Sequence, residues 1–227
     1  MKPTQTYPDT HQDHISSFLP LPNINPHQVL TTSGDCTLSI LDVRKSNAIA
    51  ISEDQEDELL CSSFADDSRR ICVGTQSGFI TVWKTGEWMD HVDRISPPGK
   101  VRKGDEPANV DCMVRLNDKV IIGLSDGWIN AVEFRPNRHG DVVGRCADGV
   151  TCLSSVPQEQ DWVISASGSR VKFWDTKKEE TGDAEYEEEA DSSEEDKLKK
   201  RRKVGNEKAK LKGVDAGTSL SSFFADL

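Results

Sequence analysis

Four times along the chain, apolar residues alternate with polar ones and then close in an apolar pair: Leu38-Ser39-Ile40-Leu41-Asp42, Ile80-Thr81-Val82-Trp83-Lys84, Ile129-Asn130-Ala131-Val132-Glu133 and Val171-Lys172-Phe173-Trp174-Asp175. Before each lies a second apolar run, at Val29-Leu30-Thr31, Ile71-Cys72-Val73, Val120-Ile121-Ile122 or Trp162-Val163-Ile164. The joining segments hold Gly34-Asp35, Ser77-Gly78, Asp126-Gly127 and Ser167-Gly168. Gly, Asn and Asp supply the positive φ of tight turns, so each unit predicts an antiparallel hairpin. A further half-buried strand opens each unit, after His11 and at Leu60-Cys61-Ser62, Val110-Asp111-Cys112 and Val150-Thr151-Cys152.

Leu41, Trp83, Val132 and Trp174 occupy the same place in their units, at steps of 42, 49 and 42 residues. A period of about 40–45 residues belongs to propeller blades, each a small sheet that buries its faces only by stacking on its neighbours. The chain is therefore expected to be all-β, with four propeller blades over residues 11–176, a frayed start over 1–10 and a tail over 177–227. The longer middle step is expected from a surface connector at Ser96-Pro97-Pro98-Gly99-Lys100 through Glu106-Pro107. The run 52–59, with five carboxylates, reads as a solvated connector between blades one and two.

Charge divides the chain at the same boundary. The net charge is −11; the tail holds 14 acidic and 11 basic residues, so most of the excess lies in the blades. An acidic propeller is a poor match to a nucleic-acid duplex, which is gripped by Lys and Arg. No apolar run reaches the roughly 18 residues of a membrane helix, and the polar start lacks a signal core; a soluble, intracellular protein without a membrane partner is the expectation. The six cysteines form no Cys-x-x-Cys pair and are expected as packed, reduced thiols.

In the tail, residues 179–196 contain eleven acids and no Lys or Arg. Lys197, Lys199, Lys200, Arg201, Arg202 and Lys203 follow within seven positions. Such blocks bury too little apolar surface to offset ordering entropy, so the tail is expected to be disordered. The basic block suits nuclear import and can also contact RNA phosphates. Ser192 and Ser193 each precede an acid by three residues, which suits acid-directed kinases, and phosphorylation there would deepen the acid-to-base dipole. The end, Ser221-Ser222-Phe223-Phe224-Ala225-Asp226-Leu227, offers Phe223, Phe224 and Leu227 as apolar anchors for a partner.

Catalysis finds little support. The five histidines are scattered over blades and connectors, and neither a His-Glu-x-x-His metal pair, a Gly-x-Ser-x-Gly elbow nor a phosphate-binding Gly loop is present in the sequence. No cofactor, metal site or catalytic residue is expected. The Asp66-Asp67 pair beside Arg69-Arg70 reads as a hairpin turn.

The units resemble WD repeats, most clearly at Val171-Lys172-Phe173-Trp174-Asp175 and Ile80-Thr81-Val82-Trp83-Lys84. Residues 11–227 are also similar to a nucleolar family that contains vertebrate WD repeat-containing protein 55 and the fungal JIP proteins. The matching words are Thr32-Ser33-Gly34-Asp35, the acidic run from Ser52 to Glu58, Val110-Asp111-Cys112-Met113, Arg135-Pro136-Asn137-Arg138 and Phe223-Phe224-Ala225-Asp226-Leu227. This resemblance implies a partial arc of a seven-bladed ring in the nucleus and nucleolus, a scaffold for pre-ribosomal assembly factors in ribosomal RNA processing and large-subunit assembly. It departs from the pattern in three ways. The His, Ser/Thr, Asp and Trp tetrad of WD repeats is complete nowhere, the first blade having His11, Thr31 and Asp35 but Leu41 for Trp. Cys36 replaces the usual hairpin Gly, and three blades expected before His11 are absent. Plant relatives imply an alternative, a substrate receptor of a cullin-based ubiquitin ligase whose adaptor reads Trp-Asp-x-Arg. The nearest matches are Leu41-Asp42-Val43-Arg44 and Trp174-Asp175-Thr176-Lys177, and Lys lacks the planar fork of Arg. Four blades cut from a seven-fold ring would leave apolar end faces, so the isolated chain is expected to be poorly soluble or self-associated, and to be either a shortened gene product or a truncated gene model.

Overall fold

The structure, a computed structural model, describes residues 5–66, 69–96, 107–134, 137–156 and 159–176. The basic block, Ser192, Ser193, Phe223, Phe224 and Leu227 lie outside the described residues, as does most of the proline-bearing connector. Strands run in the order β1 (Ile15–Pro20), β2 (Gln28–Ser33), β3 (Leu38–Asp42), β4 (Ala50–Ile51), β5 (Leu59–Phe64), β6 (Arg70–Thr75), β7 (Ile80–Lys84), β8 (Asp93–Ile95), β9 (Val110–Leu116), β10 (Lys119–Leu124), β11 (Trp128–Phe134), β12 (Asn137–Arg145), β13 (Val150–Val156), β14 (Glu159–Ser167) and β15 (Arg170–Asp175).

They form four antiparallel meanders, β1-β2-β3-β4, β5-β6-β7-β8, β9-β10-β11-β12 and β13-β14-β15. The all-β, bladed architecture expected from the period is the one present. Register confirms the equivalence of the units: Leu41 pairs Val29, Trp83 pairs Ile71, Val132 pairs Val120 and Trp174 pairs Val163. The outer strands β4, β8 and β12 had no counterpart in the sequence reading. They are short or strongly polar and have only one sheet neighbour, so the alternation that marks the inner strands is missing from them.

The core lies between sheets, because a strand pointing side chains both ways needs a neighbour on each face. Leu30, Leu38 and Ile40 meet Leu59, Ile71, Val73 and Trp83 at the first junction. Cys72, Ile80 and Val82 meet Val110, Val120, Ile122 and Val132 at the second. Ile121, Ile129 and Ala131 meet Val150, Leu153, Val163 and Trp174 at the third.

Three local readings change. In the first hairpin the positive φ falls on Cys36, at 64°, whereas Gly34 is absent from the positive-φ residues; Gly78, Gly127 and Gly168 do adopt it in the other three. A β-carbon at Gly34 would lie 2.5 Å from the ring of the exposed His14. Residues 5–10, read as part of a frayed start, are tied down: Tyr7 Oη donates to Asp42 O at 2.7 Å and Gln5 Nε2 to Lys45 O at 3.1 Å. The acidic connector is more than a solvated link. Ser52 is buried and its hydroxyl accepts from Leu38 N at 3.0 Å, while Gln55 N donates to Cys36 O at 3.0 Å.

Candidate functional site

The connectors between sheets and the β2-β3, β6-β7, β10-β11 and β14-β15 turns share one end of the blades, and each connector is hydrogen-bonded to a turn. Gln12 N donates to Asp35 at 2.7 Å, Ser77 N to Asp57 at 3.2 Å, Asn109 N to Ser125 Oγ at 2.9 Å and Ser167 Oγ to Asp148 O at 2.7 Å. The connector also reaches the previous blade: Gln55 N to Cys36 O, and at the corresponding position Cys146 N to Gly127 O at 2.8 Å. The result is a braced surface of loops carrying Asp35, Asp54, Glu56, Asp57, Glu58, Asp126 and Asp148.

In the first blade His11 sits under this surface. Its Nε2 lies 2.8 Å from Thr31 Oγ1 and its Nδ1 3.2 Å from Asp35 Oδ2. Burial raises the Asp35 pKa, but bonds from the Thr37 side chain, Gln12 N and Thr37 N, with the nearby His11, bring it below the ordinary carboxylate value. An Asp-His-Thr line has the connectivity of a nucleophilic triad. Here Thr31 is 0% exposed, so its hydroxyl meets no substrate, and the set works as a clasp between connector and hairpin.

The other blades carry variants of that clasp. In the fourth, Trp174 Nε1 donates to Ser165 Oγ at 2.8 Å, and Cys146 Sγ lies 3.6 Å from the same oxygen. Cys146 stands four residues before Val150, as His11 stands four before Ile15, so a thiol occupies the histidine position. Sequence reasoning missed it because a Cys in that place matches no WD signature; the fixed four-residue spacing was the available signal. In the second blade Val73 replaces the strand hydroxyl, and Trp83 Nε1 turns to Thr81 Oγ1 at 2.9 Å on its own strand. The residues matching Thr81 in blades one and three, Ser39 and Asn130, have Leu41 and Val132 where the Trp donor would be. Ser39 Oγ and Asn130 Oδ1 are buried without a partner.

The opposite end is polar and bridged. Asp66 Oδ1 accepts from Arg69 N and Arg70 N, both at 2.9 Å, so the Asp66 turn is structural, as its sequence suggested. Arg70 continues across the second junction to Phe134 O at 2.9 Å and Asn137 Oδ1 at 3.1 Å. Beside it an open cleft of about 330 Å³ is lined by Asp66, Arg70, Arg115, Asp118 and Glu133. In the first blade Arg44 grips Asp42 in a fork, Nε to Oδ1 at 2.9 Å and Nη2 to Oδ2 at 2.7 Å, which holds the Asp42 carboxyl well below its usual range.

The cysteines are all free thiols. Burial pushes Cys72 and Cys112 up to about 12 and raises Cys61 well above its ordinary value, so all three remain protonated donors. Among the described residues no three His, Cys, Asp or Glu side chains form a metal-holding group.

The stacked meanders, the His11 clasp and its Trp-bearing variants define a WD-repeat protein of the propeller class. The model of the WD domain, G-beta repeat matches residues 137–175, which run from β12 through β15. The chain is 31% identical over 218 residues to an uncharacterised WD repeat-containing protein of Schizosaccharomyces pombe, covering 91% of this chain and 59% of that one. It is 32% identical to the WD repeat-containing protein jip5 of Botryotinia fuckeliana, over 78% of this chain and 45% of the relative, and 34% identical to JIP5 of Coprinopsis cinerea, over 71% and 40%. The chain thus spans about half the length of the curated relatives it matches. Among solved structures, the RRP9 WD40 repeats superpose with a TM-score of 0.59 at 16% identity, over 73% of this chain and 49% of that chain. The computationally designed Ika4 protein superposes at 0.57 and 17%, over 77% and 98%.

Proposed function

We propose that the chain is a protein-interaction scaffold of nucleolar ribosome biogenesis. What carries the scaffold reading is the braced loop surface: backbone and clasp bonds fix it, and its hydroxyl-histidine-carboxylate set is sealed inside. Rigid loops on a stacked β frame suit recognition of other proteins. The likeness to JIP5 proteins and the resemblance to the nucleolar family support the cellular setting, with pre-ribosomal assembly factors as partners. The tail contributes address and grip: Lys197, Lys199, Lys200, Arg201, Arg202 and Lys203 direct nuclear and nucleolar accumulation and touch RNA, Ser192 and Ser193 tune it, and Phe223, Phe224 and Leu227 dock on a partner.

A fluorescent fusion too large to enter by diffusion tests this reading. With all six basic residues changed to Ala the fusion is expected in the cytoplasm, and unchanged nuclear retention would reject the address. The Asp42-Arg44 fork favours a second reading, a cullin-ligase substrate receptor, since it keeps the Asp-x-Arg half of the adaptor's box although Leu41 replaces its Trp.

A further inference from the structure

The two end faces of the blade stack are the two halves of a junction that the chain already makes three times within itself. At each internal junction the first residue of the following sheet, Leu59, Val110 or Val150, is fully buried. These residues pair with Thr75, Leu124 and Ser167; the counterpart in the first blade, paired with Ser33, is Ile15. Ile15 is exposed. Phe18, opposite Thr31, holds the place of Leu153, opposite Ser165, which is buried at the third junction, yet Phe18 is 66% exposed.

The receiving face is equally regular. Cys61, opposite Gly74, donates its thiol to Val110 O at 3.2 Å, and Cys112, opposite Gly123, donates to Val150 O at 3.5 Å. The matching thiol in the fourth blade is Cys152, opposite Ala166, and it is exposed. Val171 and Phe173 hold the places of Ile129 and Ala131, which are buried at the third junction, but are 63% and 61% exposed. A β-carbon is accepted at the Ala166 position, because Thr32 holds the corresponding place at the first junction. The repeat matched at 137–175 joins the outer strand of one sheet to three strands of the next. By that offset the segment 5–10 stands where an outer strand of a preceding sheet would run, and the fourth sheet has three strands among the described residues.

We propose that two copies of this chain associate head to tail, Ile15 and Phe18 of one seating on the Cys152, Val171 and Phe173 face of the other, with the 5–10 segment lying along β15. Apolar faces of this kind are the usual mark of an interface. Each copy supplies four sheets, so two copies bring eight together, within the roughly 4–8 blades of closed propellers, and the heterologous contact closes into a ring.

Light scattering after size exclusion of the 227-residue chain is expected to give twice 25.1 kDa. Phe18→Asp and Phe173→Asp, at side chains already exposed in the single copy, are each expected to give 25.1 kDa with unchanged circular dichroism. Mixed together, the two variants retain one intact pair of faces and are expected to form a 1:1 dimer, which a contact between like faces does not allow. A monomeric parent chain, a larger assembly, or a mixture that stays monomeric would each overturn the proposal.

Discussion

Cys36 holds a conformation that L residues other than Gly occupy at a cost, with φ at 64°. Cys36→Gly is therefore expected to stabilise the chain by roughly 0.5–1 kcal/mol in urea unfolding, the relief of strain exceeding the added freedom of the unfolded chain. Gly34→Ala, at the glycine the sequence singles out, is expected to change little, because the intruding atoms belong to the exposed His14 ring, which can swing away. Neighbouring Asp35 makes the first blade acid-sensitive. Its folded pKa is lowered, so its contribution is present above the ordinary value of about 4 and is lost as pH falls through the folded value. Urea midpoints measured from pH 7 down to pH 3 are expected to fall more steeply below pH 4 in the parent chain than in Asp35→Asn. Equal slopes would remove Asp35 from the account. The hairpin itself was legible from Gly34-Asp35; which residue takes the positive φ was not, because Asp, Cys and Gly there fit more than one turn.

At the scale of the strand, the second and third junctions each depend on a glycine facing a valine. A β-carbon on Gly123 would lie 2.6 Å from Val150 Cγ1 and 2.7 Å from Cys112 Sγ, and Gly74 has the same relation to Val110 and Cys61. Gly123→Ala is expected to cost about 1–3 kcal/mol, the range for overpacking a closed core. Val150→Ala removes the nearest methyl and leaves the Val150 β-carbon at 2.8 Å, so the double variant is expected to lose somewhat less than the sum of the two single losses, and additivity would show that this methyl does not press on position 123. Inner strands were legible because alternation, β-branched residues and turns agreed at a fixed period. The Cys-to-carbonyl bonds and the Arg70 bridge were not, since they join residues 38 to 67 positions apart and local patterning carries no trace of them. The Cys146 variant of the clasp was hidden for a related reason: the spacing was regular, but the residue type was foreign to the motif.

For the whole molecule, the bladed architecture follows from the repeat alone, because sheets of this width bury both faces only in a stack. The functional setting rests on other features, the bipolar tail and the likeness to longer WD-repeat relatives, and the charge runs of that tail say what it can attract without saying which protein it meets. The proposed role places this scaffold among ribosome precursors. Affinity purification of the tagged full chain, with mass spectrometry of what is retained, tests it most directly. Large-subunit assembly factors and precursor ribosomal RNA are expected, weakened when the last seven residues are deleted; recovery of cullin adaptor subunits without ribosomal precursors would contradict the account.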